Sequence, residues 1–277
     1  MRGRLPHVET FANPNNAGNL WKMIKWVSDM ARYSPLRFRV FDTCRLRYRY
    51  QYVDKARAYL RPGDTAGSLV HRILCDFFSK VPREERTEER LCQLFEDGWE
   101  ALSPAYKRVP GVDELHSAGI AQLRNFARKF DVKAEPYAVE AYLQADVSPG
   151  VTLFGRMDRI DEEADGTLHI IDYKTGTQPD EIDTKQLVLY AIMVEQELTR
   201  VVSRASFWYL DDGQVWTMDL TEESKRKAFE EMLAAAREME DIAEYPATKG
   251  PHCGHCPYLK GCEFREEIAA RRETEGW

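Results

Sequence analysis

Ile170-Ile171-Asp172-Tyr173-Lys174-Thr175-Gly176 is an apolar run that ends in an acid and a lysine two residues apart. Side chains alternate faces along a strand, so Asp172 and Lys174 project to one side and Tyr173 to the other. A carboxylate in that position can hold a divalent metal, and an ammonium beside it can steady the charge of a phosphate under attack. Upstream, Gly155-Arg156-Met157-Asp158-Arg159-Ile160-Asp161 reads as a second strand with its own acid. Glu162-Glu163-Ala164-Asp165-Gly166 lies between them as a hairpin turn, which predicts antiparallel pairing. Asp158 and Asp172 then converge, and a bound cation is one common way to relieve two carboxylates held that close.

Around this hairpin the chain reads as mixed helix and strand. An apolar helical stripe runs through Leu69, Val70, Ile73 and Phe77, with His71 on it and Thr65 as the expected cap. Further helices are expected over Glu88–Ala105, His116–Phe130, Thr184–Leu198 and, capped by Thr221, Glu222–Ala243. Ala138–Val147 alternates as a strand carrying Glu140, and Asp211-Asp212-Gly213-Gln214 joins a later strand pair. The order predicts an α/β domain with a central mixed β-sheet flanked by helices and closed by a C-terminal cysteine loop. Residues 1–33, with the apolar stripe Leu20, Met23, Ile24, Val27 and Ala31, read as an N-terminal appendage. Residues 34–265 form the main domain and 266–277 a tail.

That loop, Cys253-Gly-His-Cys256-Pro-Tyr-Leu-Lys-Gly-Cys262, offers three thiolates and leaves a tetrahedral or cubane centre one ligand short. Cys44 is the best candidate for the fourth. Zinc, with His252 or His255 completing the set, competes with iron–sulfur on this pattern alone. Cys75 and Cys92 fall in apolar helical patterns and read as buried structural thiols.

The 277-residue chain carries a net charge of −7, which disfavours indiscriminate nucleic-acid binding. Between Arg32 and Arg61, however, nine basic residues face only Asp42 and Asp54, with Phe38, Phe41, Tyr48, Tyr50 and Tyr52 interleaved. Such a run reads either as a local polyanion site or as a solvated helix face over packed tyrosines. The longest apolar run, Leu187–Val194, is far too short to cross a bilayer. Lys22, Lys25 and Asp29 interrupt the N-terminal apolar positions, so no secretory signal is read and a cytoplasmic location is expected.

Taken in order, the Gly-x-x-Asp strand ending at Asp158, Asp172-Tyr173-Lys174, and Gln186-Leu-Val-Leu-Tyr190 resemble the PD-(D/E)XK nuclease superfamily, and most of all its RecB-type branch. His71, within Gly67-Ser68-Leu69-Val70-His71-Arg72-Ile73-Leu74, is similar to that branch's helix-borne histidine. One early and three late cysteines resemble its iron–sulfur members, AddB-type nuclease domains and CRISPR-associated exonucleases. Arg45 stands where those members usually place a proline after the first cysteine.

The resemblance implies a restriction-endonuclease-like core. It implies Mg2+ or Mn2+ held by His71, Asp158, Asp172 and the carbonyl of Tyr173, with Lys174 as the catalytic cation. Gln186 and Tyr190 would position substrate and metal, with Glu140 near the ion. A 4Fe-4S cluster on Cys44, Cys253, Cys256 and Cys262 would staple the domain. Arg37, Arg39, Arg45, Arg47 and Arg49 would track single-stranded DNA. The function it implies is a DNA exonuclease in repair, recombination or defence, working alone or beside a helicase or integrase-type partner. Two rivals remain in view at this point: a DNA-binding module without catalysis, and a zinc-stapled RNA nuclease.

Overall fold

The computed structural model describes residues 31–59 and 61–276. The apolar stripe expected over residues 20–31 therefore lies almost wholly outside the described residues. Six strands form one sheet: β1 (Ala31–Tyr33), β2 (Ala138–Ser148), β3 (Val151–Glu162), β4 (Leu168–Lys174), β5 (Val202–Tyr209) and β6 (Val215–Asp219). β3 organises the sheet. β2 pairs antiparallel along its whole length, while β1 (parallel) and then β4 (antiparallel) share its other edge. β5 continues parallel to β4, and β6 closes antiparallel on β5. The sheet is mixed, as its hairpin signals predict. Ala31–Tyr33 belongs to it, so the last residues of the expected appendage are part of the domain.

The expected turn after β3 forms with Gly166 at φ +83°, a left-handed conformation that glycine adopts without steric cost. The connection from β4 to the parallel β5 is made by helix α6 (Lys185–Leu198).

Helices cover both faces. Ile170 on β4 and Ala205 and Phe207 on β5 pack with α1 (Pro35–Thr43), α6 and α7 (Glu222–Asp241). Ile171 and Tyr173 point the other way, into a second cluster with α3 (Pro62–Lys80), α4 (Glu88–Glu100) and α5 (Val112–Lys129). The short helix α2 (Arg45–Tyr48) follows α1 and runs directly into a π-helical turn, Arg49–Val53. A strand buried on both faces reads as a continuous apolar run, which is why Ile170-Ile171 is unbroken.

Local chemistry sets most helix ends. Thr221 caps α7 as expected, its hydroxyl accepting the Ser224 N–H. Thr65 does not cap α3. The helix starts three residues earlier, with Pro62 in its first turn and the Asp64 carboxylate accepting the N–H of Arg61. Helix α4 stops at Glu100 rather than reaching Ala105, because Ser103-Pro104 follows closely. α5 begins at Val112, after Gly111 at φ +79°, with Asp113 and Glu114 complementing its positive end. Gly119 permits α5 to lie against Phe95 of α4, since a Cβ there would sit 2.4 Å from that ring. Cys75 and Cys92 are only partly buried, not sealed in the core: they sit at the flanks of their helices' apolar stripes. Residues 265–275 form a further helix, α8, anchored by the buried Ile268.

Candidate active site

Three acids line up across three strands. Val139 pairs with Arg159 and Ala141 with Met157, so Glu140 stands opposite Asp158. The β3–β4 ladder ends at Arg159–Ile171, one step short of facing Asp158 with Asp172. Both ladders around Asp158 are thus interrupted at the acids. Glu140 adopts φ +48°, a left-handed conformation that costs a non-glycine residue about 1–3 kcal/mol and tends to survive where function requires it. Beyond the last β3–β4 pair the strands part, and the Asp158 carboxylate takes up the freed backbone donor, accepting the Tyr173 N–H at 2.8 Å.

Helix α3 supplies the imidazole. His71 Nδ1 lies 3.0 Å from the other Asp158 oxygen. Ligand atoms of His71, Glu140 and Asp158 all fall within 4.8 Å of one another, a span one ion can bridge. The strand pair and the helix are thus brought together, with Glu140 as the third member of the group. Asp172 is held by Lys174 and Gln186. One of its oxygens is 2.6 Å from Lys174 Nζ and the other accepts from Gln186 Nε2 at 2.9 Å. Gln186 Oε1 in turn accepts from Lys174 at 3.1 Å, and Nε2 also donates to the Tyr190 hydroxyl at 3.1 Å. The ammonium is seated 4.6 Å over the Phe207 ring.

The charges of this group are unbalanced. Burial pushes the Glu140 carboxyl upward, with Arg156 opposing and Asp158 reinforcing the shift. Asp172 is raised by burial too, against the pull of Lys174 and with the push of Asp158. For His71, burial acts downward, but Asp158, Asp172 and Glu140 outweigh it and hold the imidazole above its usual value. Acids raised and an imidazole drawn towards its cationic form are what clustered negative charge produces. Tyr190, its phenol pushed up to about 12 by burial and then by Asp172, stays protonated and can serve as a donor. Its ring lies against Gly155, where a Cβ would approach to 2.8 Å.

Gln186 holds three groups at once, so replacing it with leucine is expected to free Lys174 while sparing the fold. Loss of such a supporting contact typically costs about 10–100-fold. The measurement is kcat with KM on a labelled oligonucleotide; an unchanged kcat contradicts the role.

The remaining predicted residues disperse. Arg37 donates to the Tyr48 hydroxyl and the Arg32 carbonyl, Arg45 pairs with Glu238 at 2.8 Å, and Arg49 pairs with Asp54 at 3.1 Å. Arg39 stays exposed and acts electrostatically on Tyr190 at the site. Arg47 faces a different place, a cavity it lines together with Cys44, Cys253, Cys256 and Cys262. His169, excluded by strand alternation, lies 3.2 Å from Glu163 and 2.7 Å from Ser206. That acid–imidazole–hydroxyl relay is structural, because Ser206 has no exposed surface.

Clustered acids at diverging strands, an imidazole from a packed helix and a lysine one step away define a metal-dependent phosphodiester hydrolase. Residues 32–263 match the PD-(D/E)XK nuclease superfamily, and the chain belongs to that superfamily. A protein from Eubacterium rectale, provisionally named an exonuclease, has a similar crystal structure: TM-score 0.52 at 13% identity, covering 89% of this chain and 93% of that one. At that identity the likeness concerns the fold. The crystal structure of SSO0001 aligns with 15% identity over 72% of this chain and 96% of that one, at a TM-score of 0.35. No curated protein sequence matches the chain. Among the described residues no helix is long and apolar enough to cross a membrane.

Proposed function

We propose that this nuclease is a DNA exonuclease of the RecB-type branch, acting on single-stranded ends with Mg2+ or Mn2+ and stapled by a 4Fe-4S cluster. The observation that carries the metal-dependent reading is the transverse line Glu140–Asp158–Asp172 with His71 set against its centre. His71, Asp158, Asp172 and the Tyr173 carbonyl would hold the cation, with Glu140 beside them. When bound, it supplies Lewis acidity that lowers the pKa of a water and offsets charge on the phosphate. Lys174 has its ammonium positioned by Asp172 and Gln186 to donate to a phosphate oxygen or orient the attacking water. The Tyr190 hydroxyl, held by Gln186, donates towards the same space. Arg39 is the arginine of the basic run best placed to meet the substrate, being exposed and within electrostatic reach of Tyr190.

The cysteine arrangement fits a multi-iron group. Cys44 lies in extended backbone between α1 and α2, and that break brings it to the cavity lined by all three late cysteines. Burial raises the thiols of Cys256 and Cys262, with their neighbouring cysteines adding to the rise.

End-labelled single-stranded and duplex DNA, incubated with Mg2+, Mn2+ or chelator, tests the assignment. Expected is stepwise shortening of the single strand, lost in chelator. Internal cuts first, or preference for RNA, overturn the exonuclease reading. Binding without cleavage under every metal favours a non-catalytic module. Anaerobically purified protein is expected to be brown; a colourless, zinc-containing protein overturns the cluster.

A further inference from the structure

Two arginines keep a buried donor without a partner among the described residues, Arg47 at Nε and Arg159 at Nη1, and of the two it is Arg47 that lines the cysteine cavity. In the basic run, Arg37, Arg45 and Arg49 find a tyrosine hydroxyl or carboxylates and Arg39 is exposed, whereas Arg47 has no ion pair among the described residues. Its Nε is buried and has no hydrogen-bond partner. A buried donor without a partner has lost its hydrogen bond to water and gained none in return, so it points to an acceptor in the cavity. The side chain lines the four-cysteine cavity and lies close enough to Cys256 and Tyr258 to act on both electrostatically. Of the other basic residues there, Lys249 pairs with Glu267, and His252 Nε2 lies 2.9 Å from the Thr248 carbonyl and 3.7 Å from Cys253 Sγ.

We propose that Arg47 is the counter-ion of a doubly negative metal–thiolate centre in this cavity, donating its Nε–H to a sulfur and stabilising the bound group. This rests on the cluster reading above. The charge follows from composition: four thiolates around either a 4Fe-4S core of charge 2+ or a Zn2+ ion leave a net 2−. A cation fixed beside that centre favours metal retention. It also favours the reduced state of an iron cluster, which carries one more negative charge. Arg47 thereby leaves the set of residues expected to touch nucleic acid and becomes a positioning residue of the staple.

The experiment compares anaerobically purified full-length wild type, Arg47→Gln and Arg47→Lys, with thermal melts confirming that each is folded. Metal content is measured first, then the half-life of the bound metal against a chelator, and for an iron protein the midpoint potential. Expected is at least a tenfold shorter half-life for Arg47→Gln, with Arg47→Lys close to wild type. For iron, the midpoint of Arg47→Gln also moves negative by a tenfold change in the redox equilibrium, 59 mV for one electron. Equal half-lives for the glutamine and lysine variants, or a glutamine variant matching wild type, overturn the proposal. A wild-type protein that holds neither iron nor zinc overturns the cluster reading itself. Zinc in place of iron overturns only that cluster, and the half-life comparison still decides the role of Arg47.

Discussion

Asp158→Asn is expected to reduce metal-dependent cleavage on the order of 10³-fold, the scale on which losing a single preorganised electrostatic group is felt in catalysis. Asp158 sits at the meeting point of the site. One oxygen faces His71 at 3.0 Å and the other accepts the Tyr173 N–H at 2.8 Å, with Glu140 opposite across the ladder. Asparagine keeps the shape, and its carbonyl can keep the Tyr173 contact, so the β3–β4 divergence survives. What it loses is the charge shared with Glu140 and His71, and with it the ability to bind a divalent cation tightly. Removing one of several clustered negative charges also relieves repulsion, so thermal stability without metal is expected to stay level or rise slightly. The check is kcat/KM on end-labelled single strands at several Mg2+ concentrations, beside a melting curve. Residual activity within tenfold of wild type would remove Asp158 from the centre of the mechanism.

Phe126→Ala is expected to destabilise the domain by about 3–5 kcal/mol, the usual cost of emptying a buried phenylalanine site. Phe126 is fully buried on α5, behind the strand that carries Tyr173. Its ring meets Tyr173 edge-on at 5.7 Å and Phe78 at 5.9 Å, with Phe130 at 5.2 Å and Trp208 at 6.2 Å. Four aromatic neighbours, from α3, the residue just past α5, β4 and β5, cannot all close on the void, because Phe130 is already stacked on Trp208 at 3.8 Å. Most of the cavity therefore persists. Denaturant unfolding measures the loss as a fall in midpoint at constant slope. A change under about 1 kcal/mol would mean that the aromatic layer repacks freely.

The two expected losses differ in kind, and the difference shows how the molecule divides its labour. Tyr173 belongs to both stories: its ring is held in the aromatic layer while its backbone N–H steadies Asp158. The layer behind the sheet keeps β4 in place, and the front gathers Glu140, Asp158 and His71 within 4.8 Å of one another.

Much of this was legible in the chain. The doublet Ile170-Ile171 followed by Asp172-Tyr173-Lys174 foretold a doubly buried strand with acid and lysine on one face, and Lys174 does reach Asp172. Thr221 announced its helix, and each glycine-containing turn announced its hairpin. These signals are local. Strand alternation, capping and turn conformations involve residues within a few positions, so the spacing of side-chain types carries them directly.

What the order of residues left open is decided by contacts between segments far apart. The Arg37–Arg49 run was ambiguous because its partners, Glu238 and the cysteine cavity among them, come from other parts of the chain. Glu140 joins His71 and Asp158 only because β2 pairs with β3 in one register; a slip of one residue would turn it to the other face. The division of the acids, with Asp158 facing the imidazole and Asp172 held by Lys174 and Gln186, depends on where β3 and β4 part and how α6 packs beside them. Sequence alone determined which strands and helices form and which chemistry they carry. The tertiary structure decided which charges meet, because register and helix placement are settled by burying both faces of the sheet at once.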